Sequence, residues 1–337
     1  MTLRPFLLAC AVAAPLAGAG ALTPDAVNDA KAPITARSPA AAVARLQILL
    51  DRAGFSPGIV DGGWGVNTGK AIEAFQLRGE LPVTAEGDRE TVRALERRAG
   101  RGDAIEEREL TAEDVAGPFA KLPEDVYEQA ELECLCYESL SEKLAERFHT
   151  TPAFLARLNP GVNLDRVKAG ARLHVPAVRR PEPLGVFARL AGHRRPAPGD
   201  DIERLVVHKK GGFVRAVDKD GKVLLHFPVT VGASFSESPD GSYEITAIAR
   251  EPTWHFQPKI LESVDDSMEE AYLPAGPNSP VGRVWMALSK PTFGLHGTNA
   301  PETIGYASSN GCVRLTNWDA LFLAEQAREK LPVDFVD

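Results

Sequence analysis

The segment Phe293-Gly-Leu-His-Gly-Thr-Asn-Ala-Pro-Glu-Thr-Ile-Gly-Tyr-Ala-Ser-Ser-Asn-Gly-Cys-Val-Arg-Leu315 decides how this chain is organised. It holds two short apolar runs separated by a loop rich in Gly, Pro, Ser and Asn, a pattern typical of two strands joined by an irregular connection. His296 ends the first run and Cys312 opens the second. We expect the two strand ends to bring an imidazole and a thiol together.

This pair suits nucleophilic catalysis. A cysteine attacks as the thiolate, and a nearby imidazole lowers the thiol pKa from about 8.5. Gly311 leaves room beside Cys312 for a substrate carbonyl, and backbone N–H groups of both residues could form an oxyanion hole. Gly297 lets the chain turn after His296, so that a backbone carbonyl could hold one imidazole tautomer. By itself, however, a cysteine beside Val and Leu is more often a small buried hydrophobe.

The longer pattern supports catalysis. It consists of His296-Gly-Thr298, Ser309-x-Gly-Cys-Val-Arg-Leu315 and Asn317-x-Asp319, and it resembles the signature of the YkuD-type L,D-transpeptidases. The resemblance runs from about Leu205 to Val336. Many family members carry a second histidine two residues before the cysteine, and here that position is Asn310.

The resemblance implies a mainly antiparallel β catalytic domain over residues 200–337. Cys312 would attack a stem tetrapeptide of peptidoglycan, D-Ala would leave, and an amine would resolve the thioester, with His296 as base and then acid. Gly297 and Gly311 complete the implied catalytic set. The implied substrate-binding residues are Arg314, Ser309, Asn310 and Trp285. An arginine can hold a carboxylate through two parallel hydrogen bonds from its guanidinium. A structural ion pair is the alternative role for Arg314.

Other functions stay open at this point. A hydrolase with the same cysteine would pass the thioester to water, as an L,D-carboxypeptidase does, and a non-enzymatic protein would only bind the wall. The acceptor could be a stem amine, a D-amino acid or a wall-attached protein. His255, in a long polar insert over residues 255–278, and His208, in a strand, are rival bases. No motif indicates a cofactor or a metal.

The N-terminus predicts export. Residues 1–21 have an early Arg4, an apolar core and a run of small residues, as in a secretory signal peptide. Pro15 and the Gly/Ala run argue against a transmembrane anchor, so we expect no membrane span after cleavage and a periplasmic or cell-wall location. Three cysteines then remain, an odd number that leaves at least one outside any disulfide. The net charge of −8 gives no indication of nucleic-acid binding.

The length of 337 residues predicts several domains. Residues 40–98 have the spacing of three helices and resemble the peptidoglycan-binding module. Asp61, Trp64 and Asn67, in and after its Gly-rich turn, are the expected peptidoglycan contacts, because aromatic faces stack on sugars while amides and carboxylates orient hydroxyls.

Two further segments precede the catalytic domain. Residues 99–129 are rich in Glu and Asp, a composition that predicts an acidic connector. Residues 130–178 predict a small βααβ unit similar to the LysM repeat, with its first strand at Leu132–Tyr137. Cys134 and Cys136 would lie there as a short disulfide or as packed thiols, since no ligand pair at zinc spacing accompanies them. Residues 179–199 predict a basic, Pro-rich, solvated linker.

Overall fold

The computed structural model describes residues 22–100, 102–179, 202–232, 241–260, 264–306 and 311–337. The predicted signal peptide, nearly all of the predicted linker, Ser309 and Asn310 lie outside these ranges. Within them, no helix has both the length and the apolar character that crossing a membrane requires.

The N-terminal part of the chain is helical, as predicted. A short helix, α1 (Pro24–Asn28), precedes the three helices of the module: α2 (Ala40–Ala53), α3 (Val66–Gly79) and α4 (Arg89–Ala99). Helix α2 ends at Gly54, whose φ of 88° favours glycine. Helix α4 begins at Asp88, whose side chain accepts from the backbone N–H of Thr91. Apolar side chains of all three helices share one core.

A second unit follows, built around a two-stranded sheet. Its elements are β1 (Ile105–Glu109), α5 (Ala112–Val115), α6 (Val126–Ala130), α7 (Leu140–Arg147), α8 (Pro152–Leu158), a 3₁₀ turn (Leu164–Arg166) and β2 (Arg172–Pro176). Ser139 and Thr151 cap α7 and α8 through their side chains. Strands β1 and β2 pair antiparallel.

The predicted first strand at Leu132–Tyr137 is wrong. The partner of β2 is β1, which lies inside the predicted acidic connector. The backbone of Leu135 instead bonds to the C-terminal part of the chain, donating to Ala275 and accepting from Asn278. Cys134 and Cys136 form a disulfide on either side of it. Because Leu135 is fully buried against Phe256 and Leu273, the apolar alternation here serves an interdomain contact rather than a sheet.

The C-terminal part of the chain forms an eight-stranded, mostly antiparallel sheet with one long helix. The elements are β3 (Arg204–His208), β4 (Phe213–Val217), β5 (Val223–Pro228), β6 (Gly241–Arg250), β7 (Trp254–Phe256), β8 (Ala271–Leu273), β9 (Val284–Leu288), β10 (Gly294–His296), β11 (Val313–Arg314), α9 (Asn317–Gln326) and β12 (Pro332–Val336). The strand order is β11-β10-β9-β6-β12-β3-β4-β5, and β7 and β8 form a separate hairpin.

The sheet curls until its two ends meet. Only β10 with β11 and β12 with β3 pair parallel among the described strands. Thr230, just beyond β5, pairs with Arg314 of β11, at the other end of the strand order. Its backbone N–H and C=O bond to the C=O and N–H of Arg314 at 3.0 and 2.9 Å. Strand β11 is therefore held on both sides.

A buried charged cluster joins the three units. Asp51 of α2 contacts His149 Nδ1 at 2.8 Å and Arg179 Nη2 at 3.1 Å, and Arg179 also reaches Asp319 of α9 at 2.8 Å. Burial alone would raise the pKa of Asp51, but the charges of Arg179 and His149 hold it well below its ordinary value. Arg179 was predicted to begin a solvated linker, and that is wrong, because its side chain is buried between two carboxylates.

Candidate active site

Two adjacent parallel strands carry the central residues of the site. His296 is the last residue of β10 and lies in register with Arg314 of β11. Cys312 immediately precedes β11, two residues before Arg314. All three residues of β10 are buried, and Trp285 of β9 pairs with His296 on the other side. The predicted His-Cys-Arg set thus comes from one edge of the sheet.

His296 is held as a neutral base. Its Nδ1 lies 2.7 Å from the carbonyl oxygen of Gly297. Because a carbonyl only accepts, Nδ1 carries the proton and Nε2 keeps its lone pair. Burial, together with the charge of Arg314, lowers the pKa of His296 from 6.5 to about 4, although the Gly297 contact acts the other way. The imidazole is therefore unprotonated at neutral pH.

Cys312 is partly buried and is not in a disulfide. Burial raises the pKa of its thiol, while a hydrogen bond with the Gly294 backbone and the charge of Arg314 act in the opposite direction. Its Sγ lies 3.7 Å from the carbonyl oxygen of Thr292, to which the thiol donates. The sequence suggested a thiolate stabilised by imidazole, whereas this environment keeps both groups neutral before substrate binds.

Arg314 brings an uncompensated positive charge to the site. Within the described residues its guanidinium has no carboxylate partner, and its buried Nε has no hydrogen-bond partner. Burial lowers the pKa of the guanidinium, which nevertheless stays charged at neutral pH. A structural ion pair therefore does not account for Arg314 in this part of the chain, and a carboxylate would complement its charge.

Close packing fixes the shape of the site. Trp285 stacks on His296, with ring centroids 5.2 Å apart. Gly294 admits that indole, because a Cβ there would lie 2.7 Å from a Trp285 ring carbon. Gly311 has a φ of +109°, and a Cβ there would lie 2.9 Å from the Phe293 ring. Glycine at position 311 thus meets a backbone requirement as well as leaving room beside Cys312.

Asn317 belongs to the Asn317-x-Asp319 motif, to which the sequence assigned no contact in the site. It is 1% exposed. Its Oδ1 accepts from the backbone N–H of Arg283 at 3.2 Å and of Thr298 at 3.1 Å. Its Nδ2 donates to Glu146 Oε2 at 2.8 Å and to the Pro277 carbonyl at 3.0 Å.

Asn317 therefore fixes the turn that follows His296. A Cβ at Gly297 would collide with its Oδ1, so glycine is required there for a packing reason as well. The Asn317-x-Asp319 spacing after the cysteine was the available sequence signal, but the contact with Glu146 of the second unit cannot be read from it.

The rival bases have structural partners. His255 Nε2 lies 2.8 Å from Glu270 Oε2, and its ring stacks on Tyr272 across the β7–β8 hairpin. His208 Nδ1 accepts from the backbone N–H of Gly211 at 2.9 Å. Neither residue lies on β10, which carries His296, or on β11, which Cys312 precedes.

The three expected peptidoglycan contacts lie near one another but differ in exposure. Asp61 is exposed, and one of its carboxylate oxygens accepts from Gln47 Nε2 at 3.1 Å and from the backbone N–H of Gly63 at 2.7 Å. Trp64 is half-buried against the helical core. Asn67 is buried and donates through Nδ2 to the Ile304 carbonyl at 2.8 Å. Asn67 thus joins the module to the loop between β10 and β11.

No group of three or more His, Cys, Asp or Glu side chains with metal-binding geometry lies within the described ranges. The chemistry available at the edge of the sheet is that of a thiol, a neutral imidazole and a guanidinium. These groups suit acyl transfer through a thioester.

Two family profiles match the chain. Residues 202–334 match the YkuD family, described as "L,D-transpeptidase catalytic domain", and residues 39–95 match a family described as "Putative peptidoglycan binding domain". A Bacillus licheniformis protein named "Putative L,D-transpeptidase YkuD" is 30% identical over 183 residues, which cover 54% of this chain and 85% of that protein. Fold and site define a cysteine-dependent acyltransferase. The chain belongs to the L,D-transpeptidase family of the YkuD type.

The chain also has more distant similarities. The Escherichia coli protein named "Probable L,D-transpeptidase YbiS" is 25% identical over 199 residues, covering 58% of this chain and 60% of that protein. Among solved structures, L,D-transpeptidase 3 of Mycobacterium tuberculosis has a TM-score of 0.32 at 15% identity, and the match covers 40% of this chain and 60% of that one. An L,D-transpeptidase of Xylanimonas cellulosilytica has a TM-score of 0.37 at 13% identity, covering 91% and 98%.

Proposed function

We propose that the chain is a cell-wall L,D-transpeptidase that joins a peptidoglycan stem tetrapeptide to an amine through a thioester on Cys312, releasing D-Ala. The observation that carries the proposal is the hydrogen bond between His296 Nδ1 and the Gly297 carbonyl. This contact leaves Nε2 of His296 as an unprotonated base at the end of β10. The neighbouring strand is β11, which Cys312 immediately precedes.

The proposed reaction starts from two neutral groups. As Sγ of Cys312 attacks the substrate carbonyl, its proton passes to Nε2 of His296, and backbone N–H groups at Gly311 and Cys312 hold the oxyanion. The imidazolium then gives its proton to the leaving D-Ala nitrogen, which forms the thioester. In the second half, Nε2 takes a proton from the acceptor amine, that amine displaces the thiolate, and the imidazolium returns the proton to the sulfur of Cys312.

Arg314 links substrate binding to base strength. Its charge lowers the pKa of His296, and so disfavours the imidazolium that the attack creates. A substrate carboxylate on the guanidinium offsets that charge. Binding of the correct substrate therefore makes His296 a stronger base when the thiol must lose its proton. Trp285, stacked on the imidazole, forms a wall of this substrate site.

The envelope is the proposed place of action. The match to a peptidoglycan-binding family over residues 39–95 supports peptidoglycan as the partner, and the signal peptide predicted for residues 1–21 supports export to the periplasm or cell wall. A stem amine is the proposed acceptor, and a D-amino acid or a wall-attached protein would react by the same second half.

Product analysis tests the proposal. Purified tetrapeptide muropeptides are incubated with the full chain and with Cys312→Ala, and the products are separated and weighed. We expect a cross-linked dimer and free D-Ala from the parent chain only. A trimmed tripeptide without dimer would make the protein a hydrolase, and no product at all would leave it a wall-binding protein.

A further inference from the structure

A cavity of about 290 Å³ lies where the three units meet. Its walls are the 61–65 turn and the start of α3, Thr151 at the N-cap of α8, and residues 301–306 of the loop between β10 and β11. The volume is at the lower end of the roughly 300–1,000 Å³ found for small-molecule sites. Neither His296 nor Cys312 lines it, so it is separate from the catalytic groups.

The walls combine aromatic faces with oriented polar atoms. Trp64 is half-buried, and Tyr306 is 63% exposed, among the most exposed large side chains in the described ranges. Gln47 and the Gly63 backbone fix the Asp61 carboxylate. Asn67 is only 6% exposed, and its side chain faces the 301–306 loop, where it donates to the Ile304 carbonyl and packs against Gly305.

The polar atoms of the lining suit a ligand rich in hydroxyl and amide groups. An anion would face the carboxylates of Asp61 and Glu302, which line the same cavity. A pyranose with an acetamido group carries both donors and acceptors and presents an apolar ring face to Trp or Tyr.

A succession of hydrogen bonds connects the cavity to the active site. Asn67 Nδ2 donates to the Ile304 carbonyl at 2.8 Å. Thr230 Oγ1 donates to the Thr303 carbonyl at 3.1 Å and accepts from the Gly305 N–H at 3.0 Å. The backbone of Thr230 in turn pairs with Arg314. A ligand in the cavity would therefore order the loop and the strand that hold the substrate-binding arginine.

We propose that this cavity is a saccharide subsite shared by the helical module and the catalytic unit, and that it holds an N-acetylated sugar ring of the glycan beside the β10–β11 loop. The inference rests on the proposed function for the identity of the polymer. It adds that recognition of the glycan is completed by the catalytic unit, through Tyr306, rather than by the helical module alone.

Calorimetric titration of the full chain with tri-N-acetylchitotriose, which carries no stem peptide, tests the subsite. We expect saturable binding that Trp64→Ala and Tyr306→Ala each weaken by about tenfold. Tyr272→Ala is the matched control, since Tyr272 is 68% exposed on the β7–β8 hairpin, outside the cavity. It should bind as the parent does. Tyr306→Ala keeps the test decisive if Trp64→Ala fails to fold, because Tyr306 is mostly exposed.

Three results would overturn the subsite: no saturable binding, unchanged binding in Tyr306→Ala, or an equal loss in Tyr272→Ala. The probe lacks the reacting peptide, so its binding is independent of catalysis. A chain that binds chitotriose but makes no product from muropeptides refutes the proposed function and leaves the saccharide site standing. A chain that makes product from muropeptides but does not bind chitotriose refutes the saccharide subsite and leaves the proposed function standing.

Discussion

Replacing Asn317 by Ala should damage both stability and catalysis. The change removes the acceptor of two backbone N–H groups, at Arg283 and Thr298, and the amide that donates to Glu146 and to the Pro277 carbonyl. A buried polar group left without a partner costs about 1–3 kcal/mol. The two backbone N–H groups alone predict a loss of about 2–6 kcal/mol, a large share of the roughly 5–15 kcal/mol that a domain possesses.

The catalytic effect follows from the same contacts. Asn317 holds the turn whose carbonyl, at Gly297, orients His296. Misplacing a catalytic group by about 1 Å costs about 10²-fold in rate, which is the expected loss in the rate of Cys312 acylation. Urea unfolding followed by circular dichroism gives the stability. The acylation rate by a carbapenem, followed by mass spectrometry under conditions where the variant is folded, gives the second number.

Asn159→Ala is the matched control. Asn159, in the second unit, is 5% exposed and likewise makes three hydrogen bonds to the backbone. Its Nδ2 donates to the carbonyls of Leu155 and His174, and its Oδ1 accepts from the backbone N–H of His174. It should lose similar stability and keep the parental acylation rate when folded. If Asn317→Ala acylates at the parental rate, or Asn159→Ala slows equally, the positioning role is wrong.

Other predictions concern charge. His296 stays neutral in the folded chain until about pH 4, whereas an unfolded histidine gains its proton near pH 6.5, so its contribution to stability is lost as pH falls through that window. Relative to His296→Gln, the free energy of unfolding should drop by about 3 kcal/mol between pH 7 and pH 4, and a pH-independent difference would refute the neutral base. Arg314→Lys keeps the positive charge but cannot make the bidentate contact of a guanidinium with a carboxylate. The transition state should therefore lose about 1–3 kcal/mol of stabilisation, measured as a lower kcat/KM, and unchanged turnover would remove Arg314 from substrate binding. Arg314→Gln should raise the pKa of His296 in an NMR titration, and no upward shift would contradict the electrostatic coupling.

Local patterns in the sequence predicted the parts of the fold that depend on neighbours along the chain. The three helices of the module follow from apolar spacing and from breakers such as Gly54. Thr316 caps the last helix, and its side chain accepts from the Asp319 N–H, a local pattern of the kind that a sequence shows. The strand that ends at His296 and the one that follows Cys312 were likewise visible as short apolar runs around a loop.

Contacts between distant segments were not predictable. Leu135 lies in a strand-like alternation, but its partners Phe256 and Leu273 are more than a hundred residues away. Arg179 sits among prolines and arginines that suggest a linker, and only the fold brings Asp51 and Asp319 to it. The pKa directions at the site depend on burial, which spacing does not reveal.

The most direct test of the account is the site and rate of acylation. Incubation with a tetrapeptide donor or a carbapenem, followed by peptide mapping, should place one adduct on Cys312, since Cys134 and Cys136 are joined in a disulfide. Cys312→Ala should carry no adduct. His296→Ala should react about 10²- to 10⁴-fold more slowly and recover partly at alkaline pH, where the thiolate forms unaided. An adduct on another residue, or release of D-Ala by Cys312→Ala, would contradict the assignment of the nucleophile.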